Sequence, residues 1–382
     1  MARQSPVIII GAGVAGLTLA QGLRLRSVPF RLFERHPQSH LSQGHRIRIS
    51  KEAQSALNSV LSPRLQSLFV ETAADKNQFE PRYVDATKLN YPEPIPAYTE
   101  SMPLDRTWIR NLLFDDAVEY GKEFQSYEVV DGQVNVEFTD GSIARGRMLV
   151  GADGVNSRVR KQLQPDRRLL DLERWIIWGR TLLTPRLKER LRPDLLTWCM
   201  YLDDETNVQA VVEPMLWSKS VPDFHVHDYV YWCICAAPRQ FAQNLPKTSR
   251  EKAEYLESVS VTWHPDLKLL IDSAALQLLT CMPVLSSKPH IEINETGQAD
   301  RITLIGDAAH PMSPMGGSGA DSAICNAADL AQTIAEGVTR YTMRQFESRM
   351  EERAKVKIEH SFRGGQKFWQ GKEWTEYSEA EI

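Results

Sequence analysis

A glycine-rich turn that joins an apolar strand to a helix is the feature that most constrains the fold of this chain. Residues 7–10 read Val-Ile-Ile-Ile, the β-branched pattern of a buried parallel strand. The motif Gly-x-Gly-x-x-Gly follows at residues 11–16, and residues 17–23 then place leucine and alanine at helical spacing. Residues 30–33 return to a strand pattern, which completes a unit of the length of a βαβ crossover. The sequence therefore predicts a Rossmann-like α/β domain.

Each glycine of the motif has a physical task in binding a dinucleotide. Gly11 permits the tight turn out of the strand, Gly13 leaves room for a diphosphate, and Gly16 allows close packing of helix on strand. The N-terminus of the following helix offers N–H groups to the phosphate charge. We therefore assign Gly11, Gly13, Ala15 and Gly16 to the binding of a dinucleotide cofactor.

An acidic residue stands at the end of the second predicted strand. Glu34 lies 23 residues after Gly11, where a carboxylate can accept hydrogen bonds from ribose hydroxyls. The same charge would repel a 2′-phosphate, so the dinucleotide at this turn is not expected to be NADP. Arg35 is assigned to the same site. The motif by itself does not separate FAD from NAD.

Length, charge and cysteine content exclude several other classes of protein. A chain of 382 residues is too long for one ordinary core and predicts two interleaved domains. The net charge is −4 and no basic run suggests nucleic acid binding. No run approaches 18 apolar residues, so no transmembrane segment is expected. Five scattered cysteines without a C-x-x-C pair favour reduced thiols in the cytoplasm, and no metal site is predicted.

The pattern of residue types changes in the middle of the chain and predicts the domain organisation. Residues 171–280 are rich in Trp, Tyr, Val and Ile, which is typical of a mixed or antiparallel β-sheet. We expect this β-rich substrate domain to interrupt a discontinuous nucleotide-binding domain, formed by residues 1–170 and 281–340. An excursion into the substrate domain is expected around residues 70–105, and residues 341–382 should form a C-terminal helical segment. A ligand site is expected between the two domains.

Two further motifs place an aspartate directly after an apolar strand. Asp153 follows residues 148–151, and Asp307 follows residues 302–306. In an open α/β sheet the carboxyl ends of the strands form the ligand-binding edge. Together with the glycine motif, they resemble the class A FAD-dependent monooxygenases, the para-hydroxybenzoate hydroxylase-like family. The resemblance extends from residue 7 to about residue 336.

The resemblance implies that FAD is the dinucleotide and assigns further residues to it. Asp307 would bind a ribityl hydroxyl through a charge-assisted hydrogen bond, although it could instead cap the following helix. Asp153 would act mainly by holding loops near the pyrophosphate. Arg110 would reach the pyrophosphate itself, with a solvated helix arginine as the alternative. The turn that contains Pro314, Gly317, Gly319 and Ala320 would lie against the isoalloxazine ring.

Arginines elsewhere are candidates for the flavin ring or the substrate. Arg46 and Arg48 share one face of a predicted strand, where the family has a flavin-contacting segment. They could touch the ring or the substrate, or form a surface salt bridge. Arg180 could face the flavin across the domain cleft and hydrogen-bond a peroxide. A base for a phenol substrate is not singled out among the candidates His45, His225, His227, Tyr201, Tyr229 and Tyr231.

The family's reaction is the expected function. NADPH or NADH would reduce FAD, O₂ would form a C4a-hydroperoxyflavin, and one oxygen atom would pass to an aromatic or polycyclic small molecule by hydroxylation or epoxidation. Secondary metabolism or aromatic catabolism is the expected setting, and the protein could be a monomer or a homodimer. A flavin oxidase or reductase of the same fold, and a non-redox flavoprotein with a binding or cyclisation role, remain the alternatives.

Overall fold

The computed structural model describes residues 5–38, 45–75, 82–93, 100–114, 118–238, 241–293 and 298–380. Within these ranges the chain forms sixteen strands, β1–β16, and ten α-helices, α1–α10, numbered in chain order. They build two main sheets, one parallel and one largely antiparallel. The expected fold class, an α/β domain that carries a β-rich insertion, is confirmed.

A five-stranded parallel sheet forms the core of the nucleotide-binding part. Its spatial order is β16-β10-β1-β2-β6, with the bounds Ile302–Leu304, Met148–Gly151, Val7–Ile10, Phe30–Glu34 and Val118–Tyr120. Helix α1, Val14–Leu25, packs against helix α9, Gly319–Glu336. Residues 7–9 and 148–150 have no exposed surface, as expected of parallel strands that are covered on both faces.

Smaller elements surround the parallel sheet. An antiparallel sheet of three strands follows β6, and its turn at Asp140-Gly141 agrees with the sequence pattern. These strands are β7, Phe124–Val130, β8, Gln133–Phe138, and β9, Ile143–Gly146. Strand β3, Arg46–Ile49, pairs with β5, Met102–Asp105. The helices of this part are α2, Lys51–Asn58, α3, Pro63–Glu71, α4, Arg106–Leu113, and α5, Arg158–Leu163.

A six-stranded sheet forms the other half of the molecule. Its order is β15-β11-β14-β13-β12-β4, with the bounds Thr280–Ser286, Leu170–Leu182, Tyr229–Ala236, Val208–Met215, Cys199–Asp203 and Tyr83–Asp85. Neighbouring strands are antiparallel, except that β4 is parallel to β12. The accompanying helices are α6, Pro185–Arg190, α7, Ser249–Val259, and α8, Pro265–Asp272. Residues from α7 and α8 share a core with one face of the sheet.

Three boundaries differ from the sequence analysis. The residue pattern from Trp108 to Tyr120 predicts one helix, which is wrong: α4 ends at Leu113, and residues 118–120 pair with β2 as an edge strand. The proposed boundary at residue 281 falls inside β15, which pairs with β11 and extends the substrate sheet to Ser286. The C-terminal helix α10 spans Arg340–Trp369 and ends well before residue 382, the end of the expected helical segment. In each case tertiary pairing or packing extends or ends an element where local pattern is ambiguous.

In the part of the chain that the structure describes, no helix combines the length and the apolar character needed to cross a bilayer.

Candidate cofactor and substrate site

The glycine motif forms a tight turn from β1 into α1. Gly11 has φ +105°, a conformation that side chains rarely adopt, and a Cβ there would overlap the backbone of Ala152. A Cβ on Gly16 would overlap the carbonyl oxygen of Gly11. Gly13 differs, because a Cβ there would meet no atom of the described residues within 4 Å. The space above Gly13 is therefore open, as the approach of a diphosphate requires.

A cavity of about 470 Å³ opens at this turn. Parts of five elements line it: the β1–α1 turn, the end of β2, α4, the segment around β6 and the loop before α5. Among the described residues, five cationic side chains (Arg35, Arg106, Arg110, Lys122 and Arg158) and three acidic ones (Glu34, Glu123 and Asp153) line its wall. The excess of positive charge suits a diphosphate, which carries two negative charges.

Glu34 and Arg35 lie at the rim of the cavity. The Glu34 carboxylate accepts hydrogen bonds from the backbone N–H groups of Ala12, at 2.9 Å, and His36, at 3.0 Å. It therefore ties the end of β2 to the glycine turn and remains on the cavity wall. Arg35 is exposed, and its Nε donates to the ring of His36 at 3.2 Å.

Two arginines of α4 point at the glycine turn and the aspartate behind it. Arg110 donates to the carbonyl oxygen of Ala12 at 3.3 Å, and its buried Nε has no hydrogen-bond partner among the described residues. Arg106, one helical turn earlier, lines the same cavity, and the sequence analysis missed it. Burial and the neighbouring Arg110 lower the pKa of Arg106 to about 10, and the charge of Asp307 opposes them. The i, i+4 spacing of two arginines was the signal that could have found it.

Asp153 holds the loop that precedes α5. Its carboxylate accepts from Ser157 Oγ at 2.5 Å and from the N–H groups of Arg158 at 2.8 Å and Val159 at 3.3 Å. Burial raises the pKa of Asp153, and these hydrogen bonds act against that shift. The contacts fit a residue that shapes the loop next to the cavity.

Asp307 occupies a 3-10 turn, Gly306–Ala308, at the end of β16. Its side chain is exposed, and a Cβ on Gly319 would lie 3.9 Å from its Oδ1. Desolvation by the surrounding protein raises the pKa of Asp307, and the positive charges of Arg106 and Arg160 act against this shift. Ser318 occupies the N-cap position of helix α9, so Asp307 does not cap that helix. The carboxylate instead lies between two arginines and the start of α9.

The turn assigned to the flavin ring leads directly into α9. Pro314–Gly316 form a 3-10 turn, and Gly317 follows with φ +61°. Helix α9 then begins at Gly319, with Ala320 in its first turn, and no described side chain caps its N-terminus. Its first N–H groups and the positive end of the helix dipole therefore favour a negatively charged ligand group at this end of the helix.

Arg46 and Arg48 lie away from the glycine turn and contact the substrate sheet. Both form ion pairs with Glu213 of β13, Arg48 at 2.8 Å, and the Glu213 side chain is only 1% exposed. Arg46 also lies over the ring of Tyr231, 4.8 Å from its centre. The ion pair that the sequence analysis allowed is therefore present, but it is buried between the two halves of the molecule and not at the surface.

Arg180 is held by residues of both halves. Its Nε donates to His45 Nδ1 at 2.9 Å, and its guanidinium lies 3.2 Å from Asp105 Oδ2. The same guanidinium stacks over the ring of Tyr229, whose hydroxyl donates to Asp105 Oδ2 and to the carbonyl oxygen of His45, at 3.0 Å each. Because Asp105 also accepts from Trp108 N–H, this network joins the substrate sheet to the start of α4.

One face of the substrate sheet packs near the turn that is assigned to the flavin ring. Along β14, Tyr229, Tyr231, Cys233 and Cys235 share this face, while the residues between them enter the opposite core. Tyr201 lies on that opposite side, paired with Tyr91. Half-buried apolar side chains pack against this face, namely Trp178, Met200, Leu202, Val211, Met282, Met312 and Met315. Methionine is flexible and adapts to irregular apolar ligands.

His45 makes a pH-dependent contribution to stability. Burial, followed by the charge of Arg180, lowers its pKa to about 3. In the unfolded chain the imidazole of His45 is protonated near pH 6.5, whereas in the folded chain it stays neutral. The free energy of unfolding therefore decreases by about 1.4 kcal/mol for each unit by which the pH is lowered from about 6.5 to about 3. His45→Gln retains an acceptor for Arg180 and lacks this titration. When the pH is lowered from 7.5 to 5, the free energy of unfolding measured in urea should decrease by about 2 kcal/mol more in the wild type than in this variant. An equal difference at both pH values would contradict this.

Comparisons with known proteins agree with this site. The FAD binding domain family matches residues 286–358. The dual O-methyltransferase/FAD-dependent monooxygenase elcB of Phaeosphaeria nodorum is 32% identical over 86% of this chain and 40% of its own length. The FAD-dependent monooxygenase thnD of Trichoderma harzianum is 28% identical over 86% of this chain and 82% of its own. Over most of its length, the chain is thus similar to FAD-dependent monooxygenases.

Solved structures place this flavoprotein in the same fold. A structure assigned to an FAD-containing monooxygenase of Photorhabdus luminescens is 25% identical, has a TM-score of 0.81, and covers 96% of this chain and 99% of its own. The resemblance inferred from the three motifs is therefore confirmed. The chain spans less than half the length of the first curated relatives that it matches, since elcB and the dual enzyme CTB3 of Cercospora beticola are covered to 40% and 48%.

Proposed function

We propose that this flavoprotein is a monooxygenase that uses FAD, NAD(P)H and O₂ to oxygenate an aromatic or polycyclic small molecule. The observation that carries the proposal is that a dinucleotide-type turn and an apolar sheet face occur in the same molecule. The cavity at the glycine turn and the turn of residues 314–317 both follow strands of the parallel sheet, and a half-buried apolar face of the second sheet packs near the latter turn. Relatives named as FAD-dependent monooxygenases support the same reaction class.

The residues at the glycine turn fit FAD. The open space above Gly13 and the excess of cations would accommodate the pyrophosphate, as would the Nε of Arg110, which has no hydrogen-bond partner within the described part of the chain. Glu34 would accept from the adenosine ribose, and Asp307 from the ribityl chain. When bound, FAD supplies the redox chemistry and the activation of oxygen, and the protein supplies position and exclusion of water.

Residues at the other end would act on the ring and the substrate. The N–H groups of the turn from Pro314 to Ala320, with the α9 dipole behind them, would stabilise negative charge on the reduced ring. The half-buried apolar face would hold a flat substrate against it. Arg46 and Arg48 would border the substrate through their contacts with Glu213.

Arg180 is proposed to present a fixed guanidinium to the reacting oxygen. Its stack on Tyr229 and its bonds to His45 and Asp105 would hold it in one orientation. Such preorganisation makes a donor effective in a cleft from which water is excluded. Unchanged turnover and product pattern in Arg180→Ala would remove Arg180 from the mechanism. A cytoplasmic location and a monomeric or homodimeric state remain predictions.

The deciding experiment is mass spectrometry of products formed from candidate aromatic and polycyclic substrates under ¹⁸O₂. The purified chain is loaded with FAD and supplied in turn with NADPH and NADH. We expect substrate-dependent oxidation of one nicotinamide and a product that is heavier by one ¹⁸O atom. Nicotinamide oxidation without label in the product would indicate a reductase or oxidase. FAD binding with neither result would indicate a non-redox flavoprotein.

A further inference from the structure

The C-terminal helix α10 touches the turn that is assigned to the flavin ring. A Cβ built on Gly364 of α10 would lie 2.6 Å from the carbonyl oxygen of Met315, against an ordinary contact of 3.4 Å or more. From the other side, a Cβ on Gly316 would lie 3.2 Å from Cα and Cβ of Ser361. Helix and turn therefore meet backbone to backbone, with no side chain between Gly364 and the turn.

Gly364 stands in the interior of a 30-residue helix, where glycine is less favourable than alanine. The close approach of Met315 gives its position a packing reason. The adjacent Gly365 has different surroundings, because a Cβ there would meet the ring of Trp369, at 3.0 Å, rather than the turn. Of these two neighbouring glycines, Gly364 is thus the one that faces the turn.

Helix α10 is fastened on both sides of the contact and cannot easily move away from the turn. Arg349 donates to both carboxylate oxygens of Asp329 on α9, at 3.1 and 2.7 Å, and Arg353 donates to Asn326 of the same helix at 3.0 Å. At its end, the carbonyl oxygen of Trp369 accepts from Arg174 of the substrate sheet at 2.8 Å.

The residues after α10 extend this attachment to the substrate sheet. Asp171 N–H donates to the carbonyl oxygen of Ser378 at 2.9 Å, and Ala380 N–H donates to that of Leu169 at 2.7 Å. The helix is therefore joined to the first residues of β11. A side chain added at Gly364 would consequently displace the turn more readily than the helix.

We propose that Gly364 is a positioning residue for the flavin site: the absence of its side chain sets the distance between α10 and the turn of residues 314–317. The N–H groups that follow this turn thereby keep their place relative to the ring. The inference rests on the proposed FAD site, and Gly364 acts on that site only through the turn. Cofactor sites tolerate displacements of only about 0.5 Å, less than the move from 2.6 to 3.4 Å that a Cβ would demand.

The test compares Gly364→Ala with the matched control Gly365→Ala. FAD affinity is measured by quenching of flavin fluorescence, and the ring environment by the visible absorption bands and the reduction potential. We expect Gly364→Ala to weaken FAD binding by about tenfold and to shift bands and potential, whereas Gly365→Ala keeps the wild-type values. Circular dichroism of both proteins without FAD should match the wild type.

Each outcome separates the inference from the proposed function. A wild type that does not bind FAD would refute the cofactor site itself. A wild type that binds FAD, together with a Gly364→Ala variant of equal affinity and spectrum, would overturn the role of Gly364. If Gly364→Ala does not fold, Ser361→Val presses on the turn at Gly316 and should have the same effect, while Ser361→Ala should not. Wild-type binding by Ser361→Val would then also overturn the inference.

Discussion

Replacement of Gly11 by alanine should remove FAD binding and destabilise the fold, whereas replacement of Gly13 should affect FAD binding alone. At Gly11, φ is +105° and the new Cβ would overlap the backbone of Ala152. Backbone strain of about 1–3 kcal/mol and overpacking of about 1–3 kcal/mol add to an expected loss of roughly 2–6 kcal/mol in the free energy of unfolding. The strained turn would also no longer present its N–H groups to the pyrophosphate.

Gly13→Ala is the matched control, since it adds the same methyl group two residues later. Gly13 has φ −77° and ψ −176°, which alanine adopts readily, and in the part of the chain that the structure describes its Cβ would meet no atom within 4 Å. Stability should change by no more than about 1 kcal/mol, because a weaker helix cap and a less flexible unfolded chain have opposite effects. FAD affinity should fall by about 10–100-fold, because the methyl group occupies the path of the pyrophosphate.

Urea unfolding without FAD and fluorescence titration with FAD separate these two effects. Equal loss of stability in both variants would show that the folded protein leaves no room for a methyl group at Gly13 either. Wild-type affinity in Gly13→Ala would show that the pyrophosphate does not pass over this residue, and the assignment of the cavity would have to change.

Asp105→Ala should cause the largest loss of stability outside the glycine turn. The Asp105 carboxylate is 2% exposed and accepts from Trp108 N–H at 2.9 Å and from the Tyr229 hydroxyl at 3.0 Å, with Arg180 at 3.2 Å. Its removal leaves a buried guanidinium without its counter-charge, which costs about 3–5 kcal/mol, and a helix without its cap. We expect a total loss of about 4 kcal/mol, measured by urea unfolding monitored through tryptophan fluorescence.

Two controls define the reason for that loss. Asp105→Asn retains an oxygen that can cap α4 but lacks the charge, so it should lose less stability than the alanine variant. Glu123→Ala removes a carboxylate from an exposed pair with Arg158, at 2.7 Å, and should cost less than about 1 kcal/mol. If Asp105→Ala were no more destabilising than Glu123→Ala, the network around Arg180 would not join the two halves.

Local sequence patterns did not identify contacts between residues that lie far apart in the chain. Arg180 was predicted to face the ring, but the structure connects it to His45, 135 residues earlier, and to Asp105. Arg46 and Arg48 likewise pair with Glu213, some 165 residues later. No local pattern identifies such partners, because each depends on how two sheets are placed against each other.

The sequence by itself determined the dinucleotide turn, the carboxyl-end aspartates and the presence of a β-rich insertion. These features are local: a strand ends, a glycine permits φ +105° at residue 11, and a helix starts within a few residues. Only the tertiary structure decided that Arg106 joins Arg110 at the cavity and that Glu213 forms ion pairs with the arginines of β3. The same is true of the close packing of the Met315 carbonyl oxygen against Gly364. These contacts arise from close packing between elements distant in sequence, which residue patterns along one element do not encode.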